Sequence, residues 1–165
     1  ALFNSTNNTY FVIPRLNYNQ INTNTGISFC FWSRLNNSSE AGSSIIEISS
    51  YGANNANFLI VKTGNDLNFF SERVGTTTVS IVTSGINFFD GTWKFIVWTI
   101  STSGFWTIYS NGVSILTNSG RILPILDSAD NTNFIGCRSD QSTAIDGNID
   151  DFRIYATTIN TSTSN

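Results

Sequence analysis

Residues 90–118, DGTWKFIVWTISTSGFWTIYSNGVSILTN, decide the class of fold. Apolar and β-branched residues recur there with a period of two, in three short runs that are separated by STSG and by NG. This pattern predicts three antiparallel strands joined by tight turns. A sheet with two apolar faces favours a two-layer sandwich over a single exposed sheet. Both faces of the first run are apolar, with Trp93, Phe95 and Val97 on one side and Ile96, Trp98 and Ile100 on the other.

The same alternation continues towards the amino terminus. In GISFCFWSRL (26–35), Ile27, Phe29 and Phe31 alternate with Ser28, Cys30 and Trp32. Further strands are predicted in SSIIEISSYG and TTTVSIVTSG, and TGND separates a predicted hairpin of Phe58–Lys62 and Asp66–Ser71. No stretch has a helical period, and Pro14 and Pro124 fall between the runs. The predicted fold is therefore all-β, a two-layer antiparallel sandwich.

The composition limits the class of partner. Asn, Ser and Thr number 22, 22 and 20, whereas charged residues make up only 12% of the 165 residues. The net charge of −3, with no basic stripe to neutralise phosphates, argues against nucleic-acid binding. The longest apolar runs are strand-sized, so no membrane span is predicted. The exterior is expected to be hydrated by amides and hydroxyls.

One domain of residues 1–157 is predicted, with residues 158–165 as a polar tail or linker. A chain that begins at Ala1 and contains no Met fits a mature secreted chain or an excised piece. Five Asn-x-Ser/Thr sequons fall in predicted termini and loops, where a glycan could be attached. We therefore expect a glycoprotein of the secretory pathway, extracellular or at the cell surface. The sequons are at Asn4, Asn7, Asn36, Asn37 and Asn160.

Metal chemistry is restricted by the absence of His and of any CxxC spacing, which removes the usual ligands of zinc and of iron–sulfur clusters. We expect no cofactor other than calcium, which binds oxygen ligands. The best acidic loop for it is LDSADNTN, with Asp127, Asp130 and Asn131. Cys30 and Cys137 are compatible either with a disulfide or with two buried thiols.

Four motifs follow one another along the chain: DGTWKFIVWTI, WTIYSNGVSI, FIG and DGNIDDFRIYATTI. In this order they resemble the laminin-G-like, concanavalin A-like jelly rolls, and the resemblance covers residues 25–157. In that superfamily a Trp opens a strand, an Asp-Gly or Asn-Gly hairpin follows, and a Gly-x-Ile-Asp-x-x-Arg-Ile-Tyr strand closes the domain. The resemblance implies a jelly-roll sandwich. The residues that carry it are Asp90, Gly91, Trp93, Tyr109, Asn111, Gly112, Ile135, Gly136, Gly147, Ile149, Asp150, Arg153, Ile154 and Tyr155.

The chain is also distantly similar to pentraxins, whose equivalent early strand has a cysteine at the place of Cys30. The usual partner of that cysteine lies where this chain has Val97, so the resemblance does not imply a bond to Cys137. The pentraxin calcium ligands after Ile-Gly are replaced by Cys137 and Arg138, and only Asp140 remains near that place.

Four aspartates, Asp140, Asp146, Asp150 and Asp151, crowd the segment 134–156. Glycosidases of this fold use a Glu-x-Asp-x-Glu run, but the nearest segment, NIDDF, has no glutamate. Without His there is also no hydroxyl nucleophile activated by imidazole. We therefore predict no catalytic residue: Asp146 is expected to be a turn residue, Asp150 part of the fold signature, and Arg153 a neutralising neighbour.

Most tryptophans are expected to belong to the core. Tyr51, in a Gly/Asn-rich loop, and Trp106, on the face opposite Phe105, are the predicted exposed ligand-binding aromatics. The leading functional hypothesis is a non-enzymatic extracellular recognition or adhesion module that binds a glycan or glycoprotein. The alternative is a structural subunit of a glycosylated fibre or coat that assembles with copies of itself. A glycosidase has the least support.

Overall fold

The computed structural model describes residues 1–14, 25–37, 41–49, 56–71, 79–119, 133–137 and 143–159. These residues form twelve strands: β1 (Leu2–Phe3), β2 (Phe11–Ile13), β3 (Ile27–Leu35), β4 (Ser44–Ser49), β5 (Ala56–Thr63), β6 (Asp66–Ser71), β7 (Val79–Val82), β8 (Lys94–Ile100), β9 (Trp106–Ser110), β10 (Val113–Asn118), β11 (Asn133–Ile135) and β12 (Gly147–Tyr155). No helix in this part of the chain has the length and apolar character needed to cross a membrane.

The strands form two antiparallel sheets of six, with the orders β1-β12-β3-β8-β9-β10 and β2-β11-β4-β5-β6-β7. We call them the first and the second sheet. The predicted three-strand segment is β8, β9 and β10, paired in sequence order, and the predicted hairpin is β5 and β6. The predicted all-β fold class is thus confirmed.

Trp98 joins the two sheets at the centre of the core. Its ring lies 5.3 Å from Phe29 and 5.0 Å from Trp106, both in the first sheet. It also lies 5.6 Å from Phe58 and 5.3 Å from Phe69, both in the second sheet. All five rings are almost completely buried. Since each aromatic pair adds stability beyond the area that it buries, this cluster couples the two sheets across the core.

Replacement of Trp98 should therefore be the most damaging single change in the core. We expect Trp98→Ala to lower the free energy of unfolding by roughly 3–5 kcal/mol. Trp98→Phe should cost less than half as much, because it keeps a ring in place and removes an indole Nε1 that has no hydrogen-bond partner among the described residues. Chemical denaturation measures both values. Trp93→Ala, at an exposed ring, is the control, and an equal loss in all three variants would contradict this role.

The cysteines do not form the disulfide that the sequence allowed, and both are buried thiols. Cys30 lies in β3 of the first sheet, between Val97 and Arg153, on the side away from the core. Cys137 follows β11 of the second sheet and packs with Phe134 and Ala144, apart from the main core. The two thiols therefore belong to different sheets, with the core between them. Val97, the position of the usual pentraxin partner, does lie directly opposite Cys30.

Burial also raises the pKa of the Cys30 thiol to about 11. A thiol that stays protonated and buried is a poor nucleophile. We expect iodoacetamide at neutral pH to leave the folded protein unmodified and to alkylate both cysteines once it is unfolded without reductant. Mass spectrometry counts the adducts. An unfolded protein that takes up label only after reduction would show that the two cysteines are bonded.

Candidate functional site

The outer face of the first sheet carries a cluster of large side chains that the core does not use. Along β3, the inward residues Phe31 and Ser33 alternate with Trp32 and Arg34, which point outwards and are exposed. The strand register places Asp150 and Phe95 on either side of Trp32, and Asn148 beside Arg34. Together with Trp93 these residues form a continuous surface. We call Trp32, Arg34, Trp93, Phe95, Asn148 and Asp150 the aromatic face.

Two of the three rings of this face, those of Trp32 and Trp93, are open to solvent. Trp32 and Trp93 expose 40% and 42% of their surface. The Trp32 ring lies 5.1 Å from that of Phe95, with an angle of 38° between the two planes. Exposed aromatic residues that are grouped together and surrounded by polar residues are typical of binding surfaces. Rings left in water add little to the stability of the folded domain, so their exposure calls for another explanation. The face therefore offers an apolar platform to a ligand.

A hydrogen-bonded turn positions Trp93. The Asp90 carboxylate Oδ1 accepts hydrogen bonds from the Thr92 amide at 2.9 Å and the Thr92 hydroxyl at 2.7 Å. It also accepts one from the Lys94 ammonium at 2.6 Å. The Lys94 and Thr92 hydrogen bonds hold the pKa of Asp90 well below its usual range. The residues on both sides of Trp93 are thus anchored to one carboxylate, which limits the directions that its ring can take.

The guanidinium of Arg34 is held in place by neutral groups. Its Nε and Nη2 donate to Asn148 Oδ1 at 3.2 and 2.8 Å. Its central carbon lies 5.5 Å from the centre of the Trp93 ring. Gly147 allows this close approach of the two strands, since a Cβ there would lie 2.2 Å from the Arg34 carbonyl oxygen. The glycine of the closing motif thus brings Asn148 to Arg34.

A β-bulge in β12 shapes the other end of the face. The register shifts between Asp150 and Arg153. Asp151 takes a φ of 49°, a conformation that costs a non-glycine residue about 1–3 kcal/mol. Asp150 Oδ1 accepts a hydrogen bond from the Asp151 amide at 3.0 Å. Arg153 pairs with Asp151 at 2.7 Å, which confirms that it neutralises one of the aspartates. Bulges of this kind redirect side chains next to functional sites.

Asp146 has a structural role. Its two carboxylate oxygens accept hydrogen bonds from the Ser5 amide at 2.7 Å and the Ser5 hydroxyl at 2.9 Å. This contact joins segments 141 residues apart and fastens the first turn of the chain to the start of β12. Asp146 does precede Gly147, as the sequence suggested, but it does more than form a turn.

The ligand-binding role predicted for Trp106 is wrong. Trp106 lies opposite Ile100 in the sheet and is completely buried on the core side. The prediction correctly placed Phe105 and Trp106 on opposite faces but assigned the wrong one to solvent: Phe105 is the exposed residue. The sequence did contain a signal for the exposed tryptophan. Arg34 is charged and therefore marks the outer face of its strand, and Trp32, two residues earlier, must lie on that same face.

Several predicted site residues lie outside the described residues. They are Tyr51, Asn160 and the four calcium candidates Asp127, Asp130, Asn131 and Asp140. The other four sequon asparagines, Asn4, Asn7, Asn36 and Asn37, are exposed. In the described part of the chain, no three His, Cys, Asp or Glu residues are grouped so that they could hold a metal ion.

Comparison with known families gives one match that covers almost the whole chain. Residues 5–163 match the Laminin_G_3 model, described as the Concanavalin A-like lectin/glucanases superfamily. A search of curated protein sequences finds no match.

Solved structures with a similar fold include binding domains of toxins. The binding domain of Paraclostridial Mosquitocidal Protein 1 has a TM-score of 0.72 at 19% identity, with 97% of this chain and 40% of that chain covered. The "Binding domain of Botulinum Neurotoxin DC in complex with SialylT" has a TM-score of 0.68 at 23% identity, covering 92% and 37%. The "Botulinum Neurotoxin Type G Receptor Binding Domain" has a TM-score of 0.61 at 21% identity, covering 84% and 36%. This chain thus spans well under half the length of each.

Proposed function

Because the chain belongs to the concanavalin A-like lectin/glucanases superfamily, we propose that it is a non-enzymatic carbohydrate-binding domain and that the aromatic face holds the glycan. The observation that supports this most is the Trp32–Phe95 pair, an exposed ring against a half-buried one, beside Asp150, Asn148 and Arg34. The toxin binding domains of similar fold include one described in complex with SialylT. That agrees with the proposed class of ligand.

The chemistry of the face suits a sugar. A pyranose presents a face of C–H groups, which packs against an aromatic ring, and a rim of hydroxyls, which need hydrogen-bond partners. Trp32 and Phe95 supply the ring surface. Asp150 supplies an acceptor on one side of Trp32, and Arg34 supplies donors two residues along β3. Apolar and polar contacts are thus available within the span of one or two sugar units.

Loss of the Trp32 ring should weaken binding selectively. We expect Trp32→Ala to reduce the affinity for any glycan bound by the wild type by about tenfold or more, since a central aromatic contact is removed. A glycan array on soluble protein, followed by calorimetry on the best ligand, measures the effect.

Phe105→Ala is the matched control for this experiment. Phe105 is as exposed as Trp32, at 43%, but lies beyond the far end of β8, roughly 20 Å from Phe95. It should leave binding unchanged. Wild-type protein that binds no glycan at millimolar concentration, with or without calcium, would contradict the proposal, and so would equal binding by Trp32→Ala.

The arrangement of carboxylates supports binding without hydrolysis. A glycosidase of this fold needs two carboxyl groups that face each other across the bond to be cleaved. Next to the aromatic face, Asp151 is paired with Arg153, and Asp150 is the exposed carboxylate beside Trp32. Glycan turnover that Asp150→Asn abolishes would show instead that the domain is an enzyme.

A second candidate function is assembly with copies of the same domain. The edge strand β2 of the second sheet exposes Phe11 and Val12, and the edge strand β1 of the first sheet exposes Leu2. Unpaired strand edges with apolar side chains can add a strand from a neighbouring molecule. In this case the purified domain should form oligomers that Val12→Lys disrupts, whereas a dilute monomer in analytical ultracentrifugation would exclude this function.

An extracellular or cell-surface setting fits both functions. The exposed sequon asparagines Asn4, Asn7, Asn36 and Asn37 offer attachment points for glycans. None of the four is among the residues that define the aromatic face, but Asn36 forms a β-bridge with Asp90, at the turn that positions Trp93, so a glycan there would border the face. Intact mass of protein made in secreting eukaryotic cells, before and after glycan removal, tests this assignment, and an unmodified mass would oppose it.

A further inference from the structure

We propose that Arg34 recognises a carboxylate on the bound glycan and that the ligands of this domain are therefore acidic sugars. This inference rests on the proposed function, because it concerns the same aromatic face. It goes further by naming the chemical class of the ligand and the residue that selects it.

The first support is the hydrogen-bond inventory of the guanidinium. Arginine has five N–H donors in a planar fork. Asn148 Oδ1 accepts from Nε and from Nη2, so one edge of the fork is occupied. The opposite edge, formed by Nη1 and the second hydrogen of Nη2, has no partner among the described residues and lies on an exposed side chain. That edge has the geometry that binds a carboxylate through two parallel hydrogen bonds.

The second support is the charge of the surroundings. Arg34 forms no ion pair with any described residue, whereas the other arginine of this sheet face, Arg153, pairs with Asp151. The groups that hold Arg34 are an amide and an indole ring, which position its charge without neutralising it. A cation that is not neutralised favours an anionic ligand. Because this side chain is also already oriented, binding costs less side-chain entropy.

The third support is the spacing on the strand. Arg34 and Trp32 are two residues apart on the same side of β3, hence about 7 Å apart at the backbone. A sugar stacked on Trp32 can therefore direct an exocyclic carboxylate towards Arg34. Asp150 lies opposite Trp32, so the hydroxyl-bearing end of the sugar should lie near Asp150 and the carboxylate away from it. This orientation separates the two negative charges.

Matched pairs of probes test the proposal: sialyllactose against lactose, and an oligogalacturonate against its methyl ester. The wild type should bind the acidic member of a pair about ten- to hundredfold more tightly, in a salt-dependent manner. Arg34→Gln should abolish that difference by weakening the acidic member far more than the neutral one, because only the carboxylate loses two parallel charge-assisted hydrogen bonds. Arg34→Lys should keep only part of it, because an ammonium offers a charge without the fork.

Asn148→Asp is the sharpest variant. It keeps the shape of the side chain but puts a carboxylate where Asn148 Oδ1 now accepts from Arg34, which would neutralise the guanidinium in place. We expect it to remove the preference for acidic probes while Arg34 stays folded against Trp93. Arg153→Gln is the matched control, since it removes an arginine that is already neutralised on the same sheet face. It should leave the preference intact.

The outcomes separate this inference from the proposed function. If neither member of any pair binds the wild type, the glycan-binding function itself fails. If both members bind equally and Trp32→Ala weakens both, glycan binding stands and the role of Arg34 is refuted. A preference that survives in Arg34→Gln, or one confined to sulfated glycans, would also overturn the assignment of a carboxylate to Arg34.

Discussion

The packing of Trp98 between the two sheets is the contact on which the rest of the molecule depends. Its ring touches Phe29 and Trp106 in its own sheet and Phe58 and Phe69 in the opposite one. Because side chains alternate strictly along a strand, the inward position of Trp98 determines the direction of every neighbour in β8. Phe95 and Val97 must then point outwards. The inward direction of Trp98 thus determines both which residues of β8 enter the core and which form the outer face.

That constraint explains why half of the tryptophans are exposed. In β3, the core-facing residues are Phe29, opposite Trp98, and Phe31, opposite Ile96, so Trp32 and Arg34 have no place in the core. The exposed rings of Trp32 and Trp93 bury little surface and therefore add little to the stability of the fold. Their presence is better explained by contact with another molecule, and the proposed glycan-binding face follows from that reasoning.

The closing strand β12 connects stability with the site. Gly147 lets the strand approach the backbone of Arg34, and Asn148 then holds the guanidinium. Three residues later the bulge places Asp151 in a strained conformation and leaves Asp150 beside Trp32. The motif that identifies the superfamily therefore also supplies polar groups to the aromatic face. Mutations in this strand should be judged by both stability and binding.

The sequence by itself determined the all-β fold, the strands of the segment 90–118 and the pairing of β5 with β6. These follow from a period of two and from turn residues, which are local properties of the chain. It also indicated that Arg153 would neutralise a neighbouring aspartate, because the two residues are close along one strand.

Only the tertiary structure decided which face of each strand meets the core. Alternation separates Phe105 from Trp106 but does not say which is buried, and the answer came from the pairing of Trp106 with Ile100. The same holds for the cysteines, which lie in different sheets although nothing in their spacing shows it. The contact of Arg34 with Asn148 joins residues 114 positions apart. Such contacts depend on sheet order, and sheet order is a property of the whole fold.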